Sequence, residues 1–329
     1  MQNLLDPAIL FFVFGVVAGA LRSNLEIPPP VAKFLSLYLL MALGLKGGFA
    51  LAQAELHATA AASIGAAMLM ALVVPALGYA FLRRFAAPWD AAAVAAAYGS
   101  VSAVTFVTAM QVLESAGLPF GGHMTVAMVL MESPAILMAV ILANVLRREA
   151  VVAQGGAAAA LAGGGGTPIG RVLHEAFTDG AQLLLLGSLA VGFLSGEAGK
   201  SVMQPFTGDL FKGMLSFFLL DMGLLVARNF GSARKAPPVL VAYAVIGPLV
   251  HASLALALAW LLGLPAADAA LLMVLSASAS YIVVPAVLRY AIPEANPSLY
   301  FGLSLGITFP LNIIGGIPLY IAAARWALG

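Results

Sequence analysis

The sequence contains no cysteine and few charged residues. Of its 329 residues, 62% are hydrophobic and only 9% are charged. The absence of cysteine excludes disulfide bonds, thiol catalysis and cysteine-ligated zinc. A chain this apolar cannot bury its hydrophobic residues inside a soluble domain, so it is expected to face lipid. With a net charge of +1 it also lacks the basic surface that binds nucleic acid, which is therefore not an expected partner.

Hydrophobic segments long enough to cross about 30 Å of hydrocarbon recur along the whole chain. They predict an all-α polytopic membrane protein with about ten transmembrane helices. The segments are 8–21, 31–53, 58–82, 91–115, 122–146, 181–195, 209–227, 237–263, 267–290 and 298–323. The start of the chain lacks the basic region of a signal peptide, so the first segment is interpreted as a retained span.

Three landmarks of the first half recur in the second half at nearly one spacing. The pairs are Gly44 with Gly223, Ser100 with Ser278, and Pro134 with Pro310, which lie 179, 178 and 176 positions apart. This spacing predicts two five-helix repeats, 1–148 and 181–329, joined by a linker over 149–180. An odd number of spans inverts the second repeat relative to the first.

Basic residues indicate the orientation of these spans. Lysine and arginine concentrate on one set of connections, which includes the linker, and only three fall on the other set. Because cytoplasmic loops carry the excess of positive charge, the linker is expected in the cytoplasm and both termini outside it. The expected location is a bacterial inner membrane. The glycine-rich tract 163–166 is typical of a flexible tether, and 171–179 could form an amphipathic surface helix.

Two runs of small hydroxyl residues interrupt the apolar segments at matching places in spans four and nine. A helix broken inside the membrane leaves backbone N–H groups that must face protein or a solute cavity. Two facing helix starts would suit a small monoanion, with serine and threonine as added donors. The candidate donors are Ser100, Ser102, Thr105, Ser278 and Ser280. The alternative is that these small residues only let helices pack closely.

Glu132 is the most informative charged residue, because it lies in span five beside Pro134. Burying an ionisable group at that depth of a membrane costs free energy, so such a group is expected to have a function. Pro134 also interrupts the backbone hydrogen bonds beside it. In the second repeat the corresponding place holds Thr308, with Asn312 just beyond. Together these oxygens could hold Na⁺. Proton coupling, or a single structural hydrogen bond of a protonated Glu132, are the alternatives.

Other polar residues in the spans receive simpler interpretations. Lys46 and Asp221 lie close to the paired glycines of spans two and seven, and could neutralise each other. His251 in span eight is interpreted as a structural histidine, although a proton relay is possible. No transition-metal site is indicated by the histidine spacing. The match to GxSxG at 302–306 lies in an apolar helical run, so an enzyme is not expected.

The chain resembles the sodium-dependent bicarbonate transporter family. The resemblance covers both halves and is carried by residues 43–48, 99–102, 130–135, 248–251, 277–281 and 292–298, of which the last is the longest and most specific. The chain departs from the cyanobacterial pattern at Glu132 and Tyr281, which are aspartate there, and at Lys46, which is uncharged there. Its linker is also shorter than the cyanobacterial linkers.

The resemblance implies a homotrimeric Na⁺/bicarbonate symporter that works by an elevator movement of a core domain against a gate domain. It implies an anion site at Gly99, Ser100, Ser102 and Ser278, and a sodium site at Glu132 with Thr105 and Ser280. No cofactor is expected, and Na⁺ is the coupling ion. A PII-like regulator is a further possible partner. The alternatives are a Na⁺ or H⁺ symporter of another small anion, such as a short carboxylate, and an uncoupled anion channel.

Overall fold

The computed structural model describes residues 6–53, 58–153, 180–233, 236–281, 284, 288 and 291–329. Within these ranges the chain is helical and contains no strand. The helices are α1 (Pro7–Ala20), α2 (Pro29–Gln53), α3 (Ala58–Leu82), α4 (Pro88–Gly99), α5 (Ala103–Ser115), α6 (His123–Ala153), α7 (Gly180–Gln204), α8 (Phe211–Ala233), α9 (Pro238–Leu262), α10 (Ala266–Ala277), α11 (Pro297–Leu303), α12 (Phe309–Leu311) and α13 (Ile317–Leu328). Wider π-helical turns occupy Pro205–Asp209, Ser304–Thr308 and Asn312–Gly316.

Most of these helices are long and apolar enough to cross a membrane. In the described ranges, seven helical segments meet both conditions, and the segment Leu183–Gly231 covers most of α7 and most of α8. Two shorter apolar helices, α1 and α10, add to them. The prediction of an all-helical polytopic membrane protein is therefore confirmed. The count of ten spans stays a prediction. Most of the linker, at 154–179, with its possible surface helix, lies outside the described residues.

The helices are interrupted where the serine runs predicted it. Helix α4 ends at Gly99, and Ser100 is extended, with φ −98° and ψ 178°. Ser102 then caps α5 by accepting a hydrogen bond from the Thr105 amide. In the second half, α10 ends at Ala277 and Ser278 is again extended, with φ −83° and ψ 166°. Both interruptions thus replace a turn of helix by extended backbone within an apolar, buried segment.

The helices fall into two groups by their packing. Helix α1 packs along α8 and α2 packs along α7, and these four form what we call the four-helix group. Helices α3 to α6 and α9 to α13 form the broken-helix group, in which α3 packs on α4 and α6, and α10 packs on α9 and α13. Each of the first two helices therefore pairs with a helix from the other half of the chain.

Glycine allows the close crossings in the four-helix group. A Cβ atom at Gly223 of α8 would lie 2.2 Å from the Phe12 carbonyl oxygen, and one at Gly192 of α7 would lie 2.6 Å from that of Leu45. Distances this short cannot be accommodated without moving a backbone. The two crossings are thus built in the same way, which favours close helix packing in lipid.

Two aspartates form matching contacts at the starts of the broken helices. Asp90, in the first turn of α4, accepts a 2.7 Å hydrogen bond from the backbone amide of Asn296, which precedes α11. Asp268, in the first turn of α10, accepts a 2.7 Å hydrogen bond from the Gly121 amide before α6. A negative side chain at a helix start is favoured by the helix dipole. Each broken helix is thereby held to a loop from the other half of the chain.

Candidate functional site

The two interruptions lie against each other. The Ser102 amide donates a 3.0 Å hydrogen bond to Ser278 Oγ, and the Ser280 amide donates a 2.9 Å hydrogen bond to the Ala97 carbonyl. Buried backbone groups need such partners, because an unpaired one costs about as much as a lost hydrogen bond. The broken segments of the two halves therefore satisfy each other at their crossing.

A small cavity of about 60 Å³ lies beside this crossing. Its polar lining consists of Ser36, Ser102, Glu132, Ser280 and Tyr281, and the rest of its wall is apolar. The broken-helix group supplies four of these polar residues, whereas α2, α7 and α8 supply the facing wall. A water molecule needs roughly 10–15 Å³ of such space, so the cavity has room for a solute of a few heavy atoms.

The hydroxyl of Ser102 is positioned to donate into the cavity. Its oxygen accepts hydrogen bonds from the Thr105 amide at 3.2 Å and from Thr105 Oγ1 at 2.9 Å. A hydroxyl has two acceptor positions and one proton. Because Thr105 fills both acceptor positions, the Ser102 side chain can bind a solute only by donating its hydroxyl proton. Thr105 thus orients Ser102 from behind the cavity wall.

Ser280 has a similar arrangement in the second half. Its oxygen accepts a 3.3 Å hydrogen bond from the Val284 amide, as a helix cap does. Ser280 is also buried and lines the cavity. This contact uses one acceptor position of Ser280 and does not use its hydroxyl proton.

Glu132 places a carboxylate in the cavity wall. It lies in α6, is only 7% exposed, and is the one acidic side chain among the described lining residues. Pro134 lies inside the same helix, so the carbonyl of Leu130, four residues earlier, lacks the usual backbone donor. Carboxylate and hydroxyl oxygens are the ligands that a hard cation such as Na⁺ takes. The site is therefore suited to a cation next to its hydroxyl donors.

Two predicted site residues bond to the protein behind the cavity wall. Ser278 Oγ donates to the Leu275 carbonyl at 2.9 Å, in addition to accepting from Ser102. Thr308 Oγ1 donates to the Ala244 carbonyl at 2.8 Å and accepts from Tyr98, 2.6 Å away. These contacts hold α4, α9 and the π-helical segment Ser304–Thr308 together. A ligand role for either residue stays a prediction.

Asn312 acts on the end of a broken helix. Its amide nitrogen donates a 2.9 Å hydrogen bond to the carbonyl of Ala277, the last residue of α10, and its oxygen accepts from the Tyr320 hydroxyl at 3.0 Å. The last carbonyls of a helix have no partner within the helix. Asn312 thus completes the interruption that forms the cavity, and its proposed role as a sodium ligand stays a prediction.

Gly99 and Ser100 lie at the first interruption but do not line the cavity. A Cβ atom at Gly99 would lie 2.6 Å from Pro75 Cγ of α3, so glycine is required there for packing. The Ser100 hydroxyl is buried and has no hydrogen-bond partner among the described residues. Sequence reasoning missed Ser36 and Tyr281 as lining residues. No motif marks Ser36, and Tyr281 was noted only as a departure from a family pattern.

The expected pairing of Lys46 with Asp221 is wrong. Lys46 Nζ lies 3.1 Å from a carboxylate oxygen of Glu114, at the end of α5, and 4.4 Å from the centre of the Phe211 ring. Asp221 lies ten residues further along α8 than Phe211, which is about 15 Å along the helix axis. The ammonium group therefore sits at a different depth from Asp221.

Apolar helices with a small polar cavity at the crossing of two broken segments define a multi-pass membrane protein of the transport class. The model of the Na⁺-dependent bicarbonate transporter superfamily matches residues 7–325, and the chain belongs to that superfamily. Membership confirms the resemblance and makes the protein a transporter rather than an enzyme. In agreement, the serine of GxSxG, Ser304, donates to the Tyr300 carbonyl of its own helix. No curated protein matches the sequence.

Proposed function

We propose that the protein is a sodium-coupled symporter that imports bicarbonate or a similar small monoanion. The observation that carries this proposal is the cavity in which Ser102, Ser280 and Glu132 meet at the crossing of the two broken segments. The anion would bind to the two hydroxyls, and Na⁺ would bind beside Glu132. Superfamily membership supports both the anion and the cation.

The start of α5 favours an anion without any lysine or arginine. A helix start carries about half a positive charge, and Ser102 caps α5 at the cavity. Helix starts bind anions because their N–H groups point outward. Such a site holds one charge by dipoles and hydroxyl donors, which suits a monoanion. Gly99, Ser100 and Ser278 are proposed to contribute to substrate binding indirectly, by shaping the backbone of the two interruptions.

The cation and the anion should stabilise each other in this cavity. Na⁺ would neutralise Glu132 and so remove its repulsion of the anion, with Ser280 as a further oxygen in the cavity wall. A ligand role for Thr105, whose hydroxyl donates to Ser102 behind that wall, is proposed from the family resemblance. By linkage, each ligand then raises the affinity of the other by the same factor. In purified protein, saturating Na⁺ is expected to lower the bicarbonate Kd at least tenfold, whereas K⁺ at equal concentration leaves it unchanged. A bicarbonate Kd that is the same in both salts would contradict the proposal.

An elevator movement of an inverted repeat is proposed to carry the solute. The reciprocal pairing of α1 with α8 and α2 with α7, and the matching contacts of Asp90 and Asp268, support two repeats of opposite orientation. The cavity lies between the four-helix group and the broken-helix group. Sliding of the broken-helix group past the four-helix group would expose the cavity to either side of the membrane.

The assembly and the surroundings of the protein are also proposals. The family resemblance supports a homotrimer, and the distribution of basic residues supports a bacterial inner membrane with both termini outside the cytoplasm. A PII-like regulator would meet the cytoplasmic linker, which lies mostly outside the described residues.

The Lys46–Glu114 ion pair joins the two helix groups on one side of the cavity, at a distance from it. Lys46 belongs to α2 and Glu114 to α5. Lys46 is ten residues beyond Ser36, and Glu114 is twelve residues beyond Ser102, which places the pair about 15–18 Å from the cavity-lining serines along both helices. On the predicted orientation this is the outer side. The pair therefore favours the conformation in which the outer side is closed.

Breaking this pair is expected to shift the protein away from the inward-facing conformation. Because the chain has no cysteine, Ser36→Cys provides a single reactive thiol in the cavity wall. Adding Glu114→Gln is expected to slow its modification from the cytoplasmic side about two- to fivefold, the effect of an ion pair worth ~0.5–1 kcal/mol.

Two further variants control this experiment. Reversal of both charges, Lys46→Glu with Glu114→Lys, should restore the rate of modification. Lys200→Gln, which breaks an ion pair within α7 to Glu197, should leave it unchanged. Equal rates in all variants would show that the pair does not set the conformation.

A further inference from the structure

Tyr281 brings a fourth hydroxyl to the cavity, after those of Ser36, Ser102 and Ser280. The residue follows Ser280, is 6% exposed and lines the cavity. Its ring packs edge-on against Phe309, with ring centres 5.2 Å apart, and this contact fixes the direction of the side chain. A bulky aromatic residue thus forms part of the wall of a cavity with room for only a few heavy atoms.

The hydroxyl of Tyr281 is unused within the described part of the chain. It lies close to the Ser102 side chain, but neither Ser102 nor another described group meets both the distance and the angle of a hydrogen bond to it. A buried hydroxyl without a partner is costly, since it has lost its hydrogen bonds to water. Its position in the cavity wall means that a bound solute can supply the missing partner.

The three cavity hydroxyls that the broken-helix group supplies, those of Ser102, Ser280 and Tyr281, differ in what they can accept. Thr105 fills both acceptor positions of Ser102, and the Val284 amide fills one position of Ser280. Tyr281 is the one of these three with neither its proton nor an acceptor position used by a described residue. A solute with its own O–H group can therefore make a two-point contact with Tyr281, donating its proton to the phenol oxygen and accepting the phenol proton on a neighbouring oxygen.

We propose that Tyr281 is a specificity-determining residue that selects a planar oxyanion carrying an O–H group over one that lacks it. The inference rests on the proposed function, because it concerns the anion in the same cavity. Bicarbonate has the required O–H group. Nitrate is the matched comparison, as a planar monoanion with the same number of heavy atoms and no proton to donate. Tyr281 would make two hydrogen bonds to bicarbonate and one to nitrate.

The test compares the affinities of purified protein for bicarbonate and nitrate, in saturating Na⁺ and at a pH where bicarbonate predominates. Tyr281→Phe keeps the ring that packs on Phe309 and removes only the hydroxyl. It is expected to weaken bicarbonate binding at least tenfold, and to lower the preference for bicarbonate over nitrate about fivefold. Tyr243→Phe removes another buried hydroxyl without a described partner, but one that lines a groove between α3 and α9, and it should change neither affinity.

The outcomes separate this inference from the proposed function. An unchanged bicarbonate affinity in Tyr281→Phe, or an unchanged preference between the two anions, would overturn the role of Tyr281. Binding of bicarbonate by the wild-type protein would still support the symporter. Wild-type protein that prefers nitrate would also overturn the role of Tyr281. If folded wild-type protein binds neither anion in Na⁺, the proposed function fails, and the inference fails with it.

Discussion

Glu132→Gln is expected to remove the Na⁺ dependence of bicarbonate binding and uptake. The substitution keeps the size of the side chain and deletes the carboxylate that faces the cavity. With no negative charge to neutralise, Na⁺ would lose its main ligand, and its half-saturating concentration should rise by at least tenfold. Uptake measured over a range of Na⁺ concentrations, at fixed bicarbonate, gives this value directly.

Glu197→Gln is the matched control for this substitution. The Glu197 side chain is 66% exposed and pairs with Lys200 of the same helix, twelve residues beyond Leu185, which lines the cavity. Its loss should leave the Na⁺ dependence as it is in the wild-type protein. Sodium activation that persists unaltered in Glu132→Gln would clear Glu132 of the proposed role. Loss of folded protein in Glu132→Gln, measured by its elution as a single species, would instead indicate a structural carboxylate.

Ser102 substitutions are expected to produce the second large effect. Ser102→Leu places three additional carbon atoms at a cavity of about 60 Å³ and should abolish uptake by filling it. Ser102→Ala removes only the hydroxyl that donates to the anion, so it should raise the bicarbonate KM about tenfold and leave the Na⁺ affinity nearly unchanged when the anion is saturating.

A buried serine elsewhere separates anion binding from packing. Ser63 of α3 is fully buried, and its hydroxyl donates to the Thr59 carbonyl of its own helix at 2.9 Å. Ser63→Ala should therefore leave the KM unchanged. If Ser102→Ala lowers thermal stability and binding by the same free energy, the serine runs serve helix packing. A KM that stays at the wild-type value in Ser102→Ala would also contradict the account.

The interruptions of the helices could be predicted from the sequence because their chemistry is local. Serine at position 102 caps the helix that follows it, through the amide of Thr105 three residues away. The same pattern at Ser278 and Ser280 could be recognised from the spacing alone. Glu132 was conspicuous for a similar reason, since charge is rare in a membrane helix and Pro134 lies beside it.

The contacts between distant segments could not be predicted in this way. The cation-binding roles of Thr308 and Asn312 stay predictions, but the sequence did not indicate that their side chains bond to Ala244 and Ala277, 64 and 35 residues away. Residue types show that these groups need partners, but not which carbonyl of a neighbouring helix lies within reach.

Ser36 lines the cavity but could not be predicted from the sequence, for the same reason. It comes from α2, in the facing helix group, where nothing in the local pattern distinguishes it. Lys46 likewise found its partner in Glu114, because helix packing sets the depth of each charge. Side chains that meet only through tertiary packing therefore require a structure.

Uptake of radiolabelled bicarbonate into proteoliposomes is the most direct test of sodium-coupled symport. The vesicles would hold the wild-type protein at fixed pH, with an inward Na⁺ gradient in one sample and an equal K⁺ gradient in the other. The account predicts saturable uptake that requires the Na⁺ gradient. Equal uptake in both gradients, rising linearly with concentration, would indicate an uncoupled channel, and no uptake in either by folded protein would exclude bicarbonate as the substrate.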